Sequence, residues 1–197
     1  MFSIRFNEIH DVVERGDEET LKKLIEQKAN INLQNTFGET PLFVASTKNH
    51  DKIVELLLGT NANVNLSTER HVTPLQQVVF NGNAKVMKLL LEAKGEPNTQ
   101  DDSANMPLHI AARHGEKEMV ETLIEHKALL NQPNRFGETP VKEASRTNRE
   151  DIVRMLLDKK ADITITDNMG NSPIHTATDS GVIKFLLEQK ADINLQN

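Results

Sequence analysis

A short motif built on proline recurs five times in this chain, as Thr40-Pro41-Leu42, Thr73-Pro74-Leu75, Met106-Pro107-Leu108, Thr139-Pro140-Val141 and Ser172-Pro173-Ile174, each copy 33 residues after the last. Nothing else in the sequence constrains the fold as strongly. A fixed period of this length describes a stack of similar units, each touching only its neighbours, and not a globule closed around one pocket. Each Thr-Pro pair also has a local reading. The hydroxyl can cap a helix start, and proline at the first helical position lacks only an N–H that would have gone unpaired. A helix is therefore expected at each proline, ending near Lys48, Asn81, His114 or Thr147, where Asn49, Gly82, Gly115 and Asn148 supply turn chemistry.

A second helix follows in each unit, with the strongest apolar pattern of the chain: Ile53 to Leu58, Val86 to Leu91 and Ile152 to Leu157. Apolar positions on more than one face imply contact with both neighbouring units. The fullest motif copy is Met106-Pro107-Leu108-His109-Ile110-Ala111-Ala112, and a second signature closes the units, as in Ala29-Asn30-Ile31-Asn32, Ala62-Asn63-Val64-Asn65 and Ala161-Asp162-Ile163-Thr164. These residues resemble the ankyrin repeat family, whose unit is a β-turn followed by two antiparallel helices. The resemblance covers essentially the whole chain. It implies an all-α solenoid of stacked helix-turn-helix units with β-turn or hairpin fingers. The frame divides the chain into an N-terminal capping repeat at 1–34, repeats at 35–67, 68–100, 101–133 and 134–166, and a shortened repeat at 167–197.

The first unit lacks Thr-Pro, and Asn7 stands where Thr40 would fall. Phe2, Phe6, Ile9 and Val13 mark one apolar face and Arg5, Glu8, Asp11 and Glu14 a polar one, as a stack terminus facing water requires. The last unit is short by three residues, since Leu157, Ala161 and Asp162 recur at Leu187, Ala191 and Asp192; the deletion is expected between its helices, around Ser180-Gly181. The closing stretch Lys190 to Asn197 nearly copies Lys28 to Asn35, after which the chain runs directly into the next motif. The expectation is a piece of a longer protein with further repeats, or another domain, beyond Asn197.

The resemblance also has a departure. Where the family places glycine after the second helix, this chain has Lys28, Asn61, Lys94, Lys127, Lys160 and Lys190. Either these residues adopt the left-handed conformation, at a cost on the order of 1 to 2 kcal/mol, or the turns take another geometry.

Composition excludes several function classes. A net charge of -6 argues against general affinity for nucleic acid or anionic lipid, and the absence of cysteine removes disulfides, thiolate metal sites and cysteine nucleophiles. No apolar run suits a signal peptide or a membrane span, so an intracellular, cytoplasmic location is expected. No phosphate loop, nucleophile elbow or calcium loop appears, and no His pair has helical zinc spacing. His109 and His175 fall in the motif itself, His10, His50 and His126 at polar helix faces or ends, and His71 in a turn. No cofactor and no metal is implied, and the chain is not expected to be an enzyme.

What remains is protein binding. By the resemblance, partners lie on the turn tips and on the inner face of the first helices, which line a concave groove. The positions late in those helices read Glu14, Thr47, Phe80, Arg113, Arg146 and Asp179, with neighbours Arg15, Lys48, Asn81, His114, Thr147 and Ser180. Lys48, Phe80, Arg113, His114 and Arg146 form their middle, without a carboxylate among them, and Arg and aromatic residues dominate binding energy at interfaces. Turn tips add Phe37, Arg70, Val72, Arg135, Phe136 and Met169; Phe37 and Phe136 either pack on adjacent turns or stand out as contacts. A monomer binding a segment rich in acidic and apolar residues is expected. The alternative is the targeting or substrate-recruiting part of a larger enzyme.

Overall fold

The structure, a computed structural model, describes residues 8–189. Phe2, Phe6, Arg5 and Asn7 of the expected cap, the left-handed position expected at Lys190 and the closing copy through Asn197 lie outside the described residues. Among the described residues there are helices and turns and no strand. Contacts divide the chain into two compact units, 1–96 and 97–197.

The first unit holds α1 (Glu8–Glu14), α2 (Glu18–Glu26), α3 (Pro41–Thr47), α4 (Asp51–Leu58), α5 (Pro74–Phe80) and α6 (Ala84–Glu92). Helices α1, α3 and α5 pack side by side in an inner row, and each is backed by the helix that follows it. Val13, Leu21, Leu42, Ala45, Val54, Leu57, Val78, Val86 and Leu90 are wholly buried between the rows. Each large side chain removed from water in this way contributes about 1.5 to 3 kcal/mol. Ile9, Val12 and Val13 bury the apolar face expected for the first helix, while Asp11 and Glu14 face solvent.

The second unit repeats the plan with α7 (Pro107–His114), α8 (Lys117–Glu125), α9 (Pro140–Arg146), α10 (Glu150–Asp158), α11 (Pro173–Thr176) and α12 (Ser180–Glu188). Here α9 packs between α7 and α11, and α10 between α8 and α12. Leu108, Ala111, Leu123, Val141, Ala144, Val153, Leu156 and Leu186 are wholly buried. The alanines at 45, 111 and 144 share one register and leave room for close approach of the two rows.

Each of the five prolines opens a helix, as expected. Thr40 Oγ1 accepts from Phe43 N at 3.1 Å, and at Thr73 the bond is reciprocal, Gln76 Oε1 accepting from Thr73 N at 2.9 Å. At Met106, which has no hydroxyl, His109 Nδ1 instead accepts from Met106 N at 3.2 Å. Thr139 makes no such bond, and its buried hydroxyl has no partner. Lys142, three residues on, is a donor with nothing to offer the cap.

The turns are left-handed at three positions in each of the four repeats between 35 and 166. Lys28, Asn61, Lys94, Lys127 and Lys160 all have φ between 60° and 71°, which settles the departure in favour of the left-handed geometry. Gly16, Asn49, Gly82, Gly115 and Asn148 end the first helices the same way, and Gly38, His71, Ala104, Gly137 and Gly170 shape the tips. Glycine is needed at Gly38 and Gly137, where an added Cβ would lie 2.7 Å from the backbone nitrogens of Glu69 and Asn168.

The asparagines of the closing signature tie each repeat to the next. Asn32 Oδ1 accepts from Asn63 N at 2.8 Å, Asn65 Oδ1 from Glu96 N at 2.9 Å, Asn98 Oδ1 from Leu129 N at 2.9 Å and Asn131 Oδ1 from Asp162 N at 2.8 Å. Asn65 and Asn98 also donate to the carbonyls of Lys94 and Lys127, both at 3.1 Å. These backbone groups lie outside the helical hydrogen-bond ladder, so the asparagine side chains supply partners that the helices cannot.

Two sequence readings need correction. The deletion in the last repeat does not sit in the connecting loop alone: it removes the second turn of α11, which stops at Thr176 with Ala177 already extended. Asp179 and Ser180 are therefore not inner-helix positions. Asp179 caps α12, accepting from Gly181 N at 2.8 Å, and Asn148 Oδ1 holds the connector through Thr178 N and Asp179 N at 3.1 and 3.0 Å. His10 is not on a polar face either. It is 5% exposed and its Nε2 donates to the carbonyl of Glu39 at 2.9 Å.

Candidate functional site

The bond from His10 has counterparts. His109 Nε2 donates to Glu138 O at 3.1 Å and Lys142 Nζ to Asn171 O at 2.8 Å, so three side chains at one register each reach a carbonyl 29 residues further on. His109 Nδ1 accepts from Met106 N while Nε2 donates, which requires the neutral ring. Burial drives the same way: it lowers the His109 pKa to about 4, against a smaller upward pull from the Glu138 carbonyl. The histidines of this register are therefore structural ties. His50 and His126 do lie at helix ends, where they meet the carbonyls of Glu14 and Thr122 at 3.2 and 2.9 Å. His71 lies in its tip turn.

The tips are built from side-chain-capped turns. Asn35 Oδ1 accepts from Phe37 N and Glu39 N, Asn134 Oδ1 from Phe136 N and Glu138 N, and Asp167 Oδ1 from Met169 N and Asn171 N, all between 2.8 and 3.0 Å. Neighbouring tips are then joined through backbone. In the first unit Glu69 N donates to Phe37 O at 3.1 Å; in the second, Asn168 N donates to Phe136 O at 3.1 Å and Arg135 N to Ser103 O at 2.9 Å. On this frame Phe37 is 67% exposed, Phe136 60% and Met169 83%. Of the two readings left open for Phe37 and Phe136, exposure is the one observed. Arg70 and Arg135 are exposed beside them, and Val72 is half-buried.

Except at Asp179 and Ser180, the 33-residue ruler falls at the end of each inner helix, and Phe80 is 61% exposed at the end of α5. The cations of that row, however, are already matched. In the first unit Lys48 pairs with Glu14 at 2.8 Å, and the Glu14 carboxyl is held below its ordinary range by that ammonium. In the second unit the wholly buried Glu143 accepts from Arg113 Nε at 3.0 Å and from Arg146 Nη2 at 2.5 Å. Burial alone would raise the Glu143 pKa, but the two guanidiniums outweigh it and the carboxyl is held low. Arg146 also faces Glu138 at 3.6 Å. The middle of the row carries no carboxylate of its own, as read, yet Glu14 at the row's start and Glu143 in α9 neutralise Lys48, Arg113 and Arg146. His114 is half-buried at the end of α7.

Lys142 and Glu143 escaped the sequence reading. Lys142 has no exposed surface and pairs with Asp167, whose pKa burial would raise but whose bond to Lys142 and backbone bonds from Asn171 and Met169 hold low. That pair anchors the turn carrying Met169. The available signal was the register: Lys142 stands where His109 stands, 33 residues on.

No helix among the described residues is long and apolar enough to cross a membrane, and no cluster of three or more His, Asp or Glu side chains among them could hold a metal ion. Compared with protein families, the chain matches Ankyrin repeats (3 copies) at residues 9–101 and 78–167, and Ankyrin repeat at residues 169–197. No curated protein matches it.

Proposed function

This chain belongs to the ankyrin repeat family, and from that premise we propose that it binds a partner polypeptide through its turn tips and inner helix faces. Ankyrin repeats are in general protein–protein interaction modules and typically not enzymes. The observation that carries the reading is the exposure of Phe37, Phe136 and Met169, at 60% or more, on turns fixed by side-chain caps and backbone bonds. A large apolar side chain held out by a rigid backbone loses little conformational freedom on binding, which is what makes an anchor effective. The expected partner segment is apolar opposite Phe136 and Met169, with an acidic residue for Arg135, which among the described residues has no carboxylate partner. Lys48, Arg113 and Arg146 add less to binding than their charges suggest, because Glu14 and Glu143 already neutralise them.

Selection of a random 12-residue peptide display library on the protein tests this. Retained peptides are expected to lose at least tenfold in affinity for Phe136→Ala combined with Met169→Ala, or for Phe80→Ala. A library that yields no retained peptide, or peptides indifferent to all three substitutions, would discard the reading.

A further inference from the structure

The sequence contains two near-identical tips, Asn35-Thr36-Phe37-Gly38-Glu39-Thr40-Pro41 and Asn134-Arg135-Phe136-Gly137-Glu138-Thr139-Pro140. The structure builds them alike. In each the asparagine side chain accepts from the phenylalanine N–H at 2.9 Å and from the glutamate N–H at 3.0 Å. In each a histidine from the preceding inner helix donates to the glutamate carbonyl, His10 to Glu39 and His109 to Glu138. Glu39 and Glu138 thus hang from equivalent backbones in equivalent frames.

They differ in what faces the carboxylate. Eight residues after Glu138 comes Arg146, whose guanidinium lies 3.6 Å from the Glu138 carboxylate. Eight residues after Glu39 comes Thr47. Among the described residues Glu39 has no cation: its Oε2 accepts only from Asn35 Nδ2, at 2.8 Å. The space is an open groove of about 380 Å³, lined by Phe37, Phe43, Val72, Thr47, Glu39 and Glu69. Thr68, Gln77 and Arg70 complete the lining, and Arg70 is the one basic residue there against two carboxylates. The groove therefore offers an apolar strip of Phe37, Phe43 and Val72 among polar side chains and is negative on balance.

We propose that this groove takes an arginine side chain of a partner polypeptide, in the place that Arg146 fills for Glu138. The methylene stem lies against Phe37, Phe43 and Val72, and the guanidinium bonds the Glu39 carboxylate, with Glu69 adding attraction. Arginine suits both halves of such a groove, since its planar head stacks on aromatic faces and forks onto carboxylates. The proposal rests on the reading of this chain as a protein-binding module and names the chemistry of one contact within it.

The test uses 15N-labelled protein and two acetylated, amidated pentapeptides, Ser-Leu-Arg-Leu-Ser and Ser-Leu-Glu-Leu-Ser. The arginine peptide is expected to shift the amide signals of Phe37, Glu39, Arg70 and Val72, and the glutamate peptide to leave them in place. Thr47→Arg copies the second tip into the first and fills the groove from within; Glu39→Gln removes the charge but keeps the oxygen that Asn35 uses. Both are expected to weaken the arginine peptide at least tenfold. Equal response to the glutamate peptide, no response to the arginine peptide, or binding that survives both substitutions would overturn the assignment. The peptide library separates this failure from a broader one. Retained peptides that lack arginine or ignore Thr47→Arg leave the module standing and remove the arginine site, whereas a library with no retained peptide removes the module itself.

Discussion

At Lys127 two effects oppose each other. A β-carbon in the left-handed region costs about 1 to 2 kcal/mol, while glycine there would lose about 0.5 to 1 kcal/mol through the greater freedom of the unfolded chain. With φ at 67° the strain is present, and the exposed lysine side chain makes no ion pair to offset it among the described residues. Lys127→Gly is expected to stabilise the fold by about 0.5 kcal/mol net, read as a higher urea midpoint at unchanged slope. A lower midpoint would mean that the attraction between the ammonium and the end of α8 outweighs the backbone strain. The sequence posed this question, because lysine stood in a glycine's place, but could not answer it, because a turn after a helix can close in more than one way. The exposure of Phe37 and Phe136 was undecidable for a related reason: their near-identical sequence contexts fix the turn but not what the ring meets across it.

Among the elements, α9 departs most from its neighbours. Its inward face carries Lys142 and Glu143, both wholly buried, where α7 carries His109 and Ile110. Removing one member of a buried pair leaves the other charge uncompensated, at about 3 to 5 kcal/mol. Lys142→Ala is expected to destabilise the second unit by about that much, while Lys142→His is expected to lose less, because it restores the bond to a carbonyl that His10 and His109 make from the same register, though not the charge opposite Asp167. Denaturation of both variants followed by circular dichroism checks the ranking, and equal losses would show that the carbonyl tie contributes little. Helix starts were legible in the sequence because proline and its cap residue act locally. The ion pairs were not, because Glu143 meets Arg113 from 30 residues away and periodicity alone marks such positions as apolar. The shortening of α11 was legible as a count of three missing residues but not as a lost helical turn. Which side yields depends on Asn148, whose side chain captures the connector at Thr178 and Asp179.

For the molecule as a whole, acid stability follows from the buried ties between repeats. Folded His109 has a pKa of about 4, against about 6.5 in an unfolded chain. Between those values the unfolded state binds a proton that the folded state refuses, so stability rises with pH across this window. The contribution is complete above about pH 6.5 and is lost as pH falls towards 4; a shift of this size corresponds to about 3 kcal/mol. Glu143 and Asp167 act in the same direction at lower pH, because their depressed pKa values make the folded state prefer the ionised carboxylates until they protonate. His109→Gln isolates the histidine. Gln76 at the same register accepts from the cap N–H just as His109 does, so the substitution keeps the helix start while removing the titrating group. Wild-type protein is expected to lose about 3 kcal/mol of unfolding free energy between pH 7 and pH 4, beyond what His109→Gln loses over the same interval. The same slope in both proteins would place the acid sensitivity in the carboxylates alone and leave the neutral His109 without a role in it.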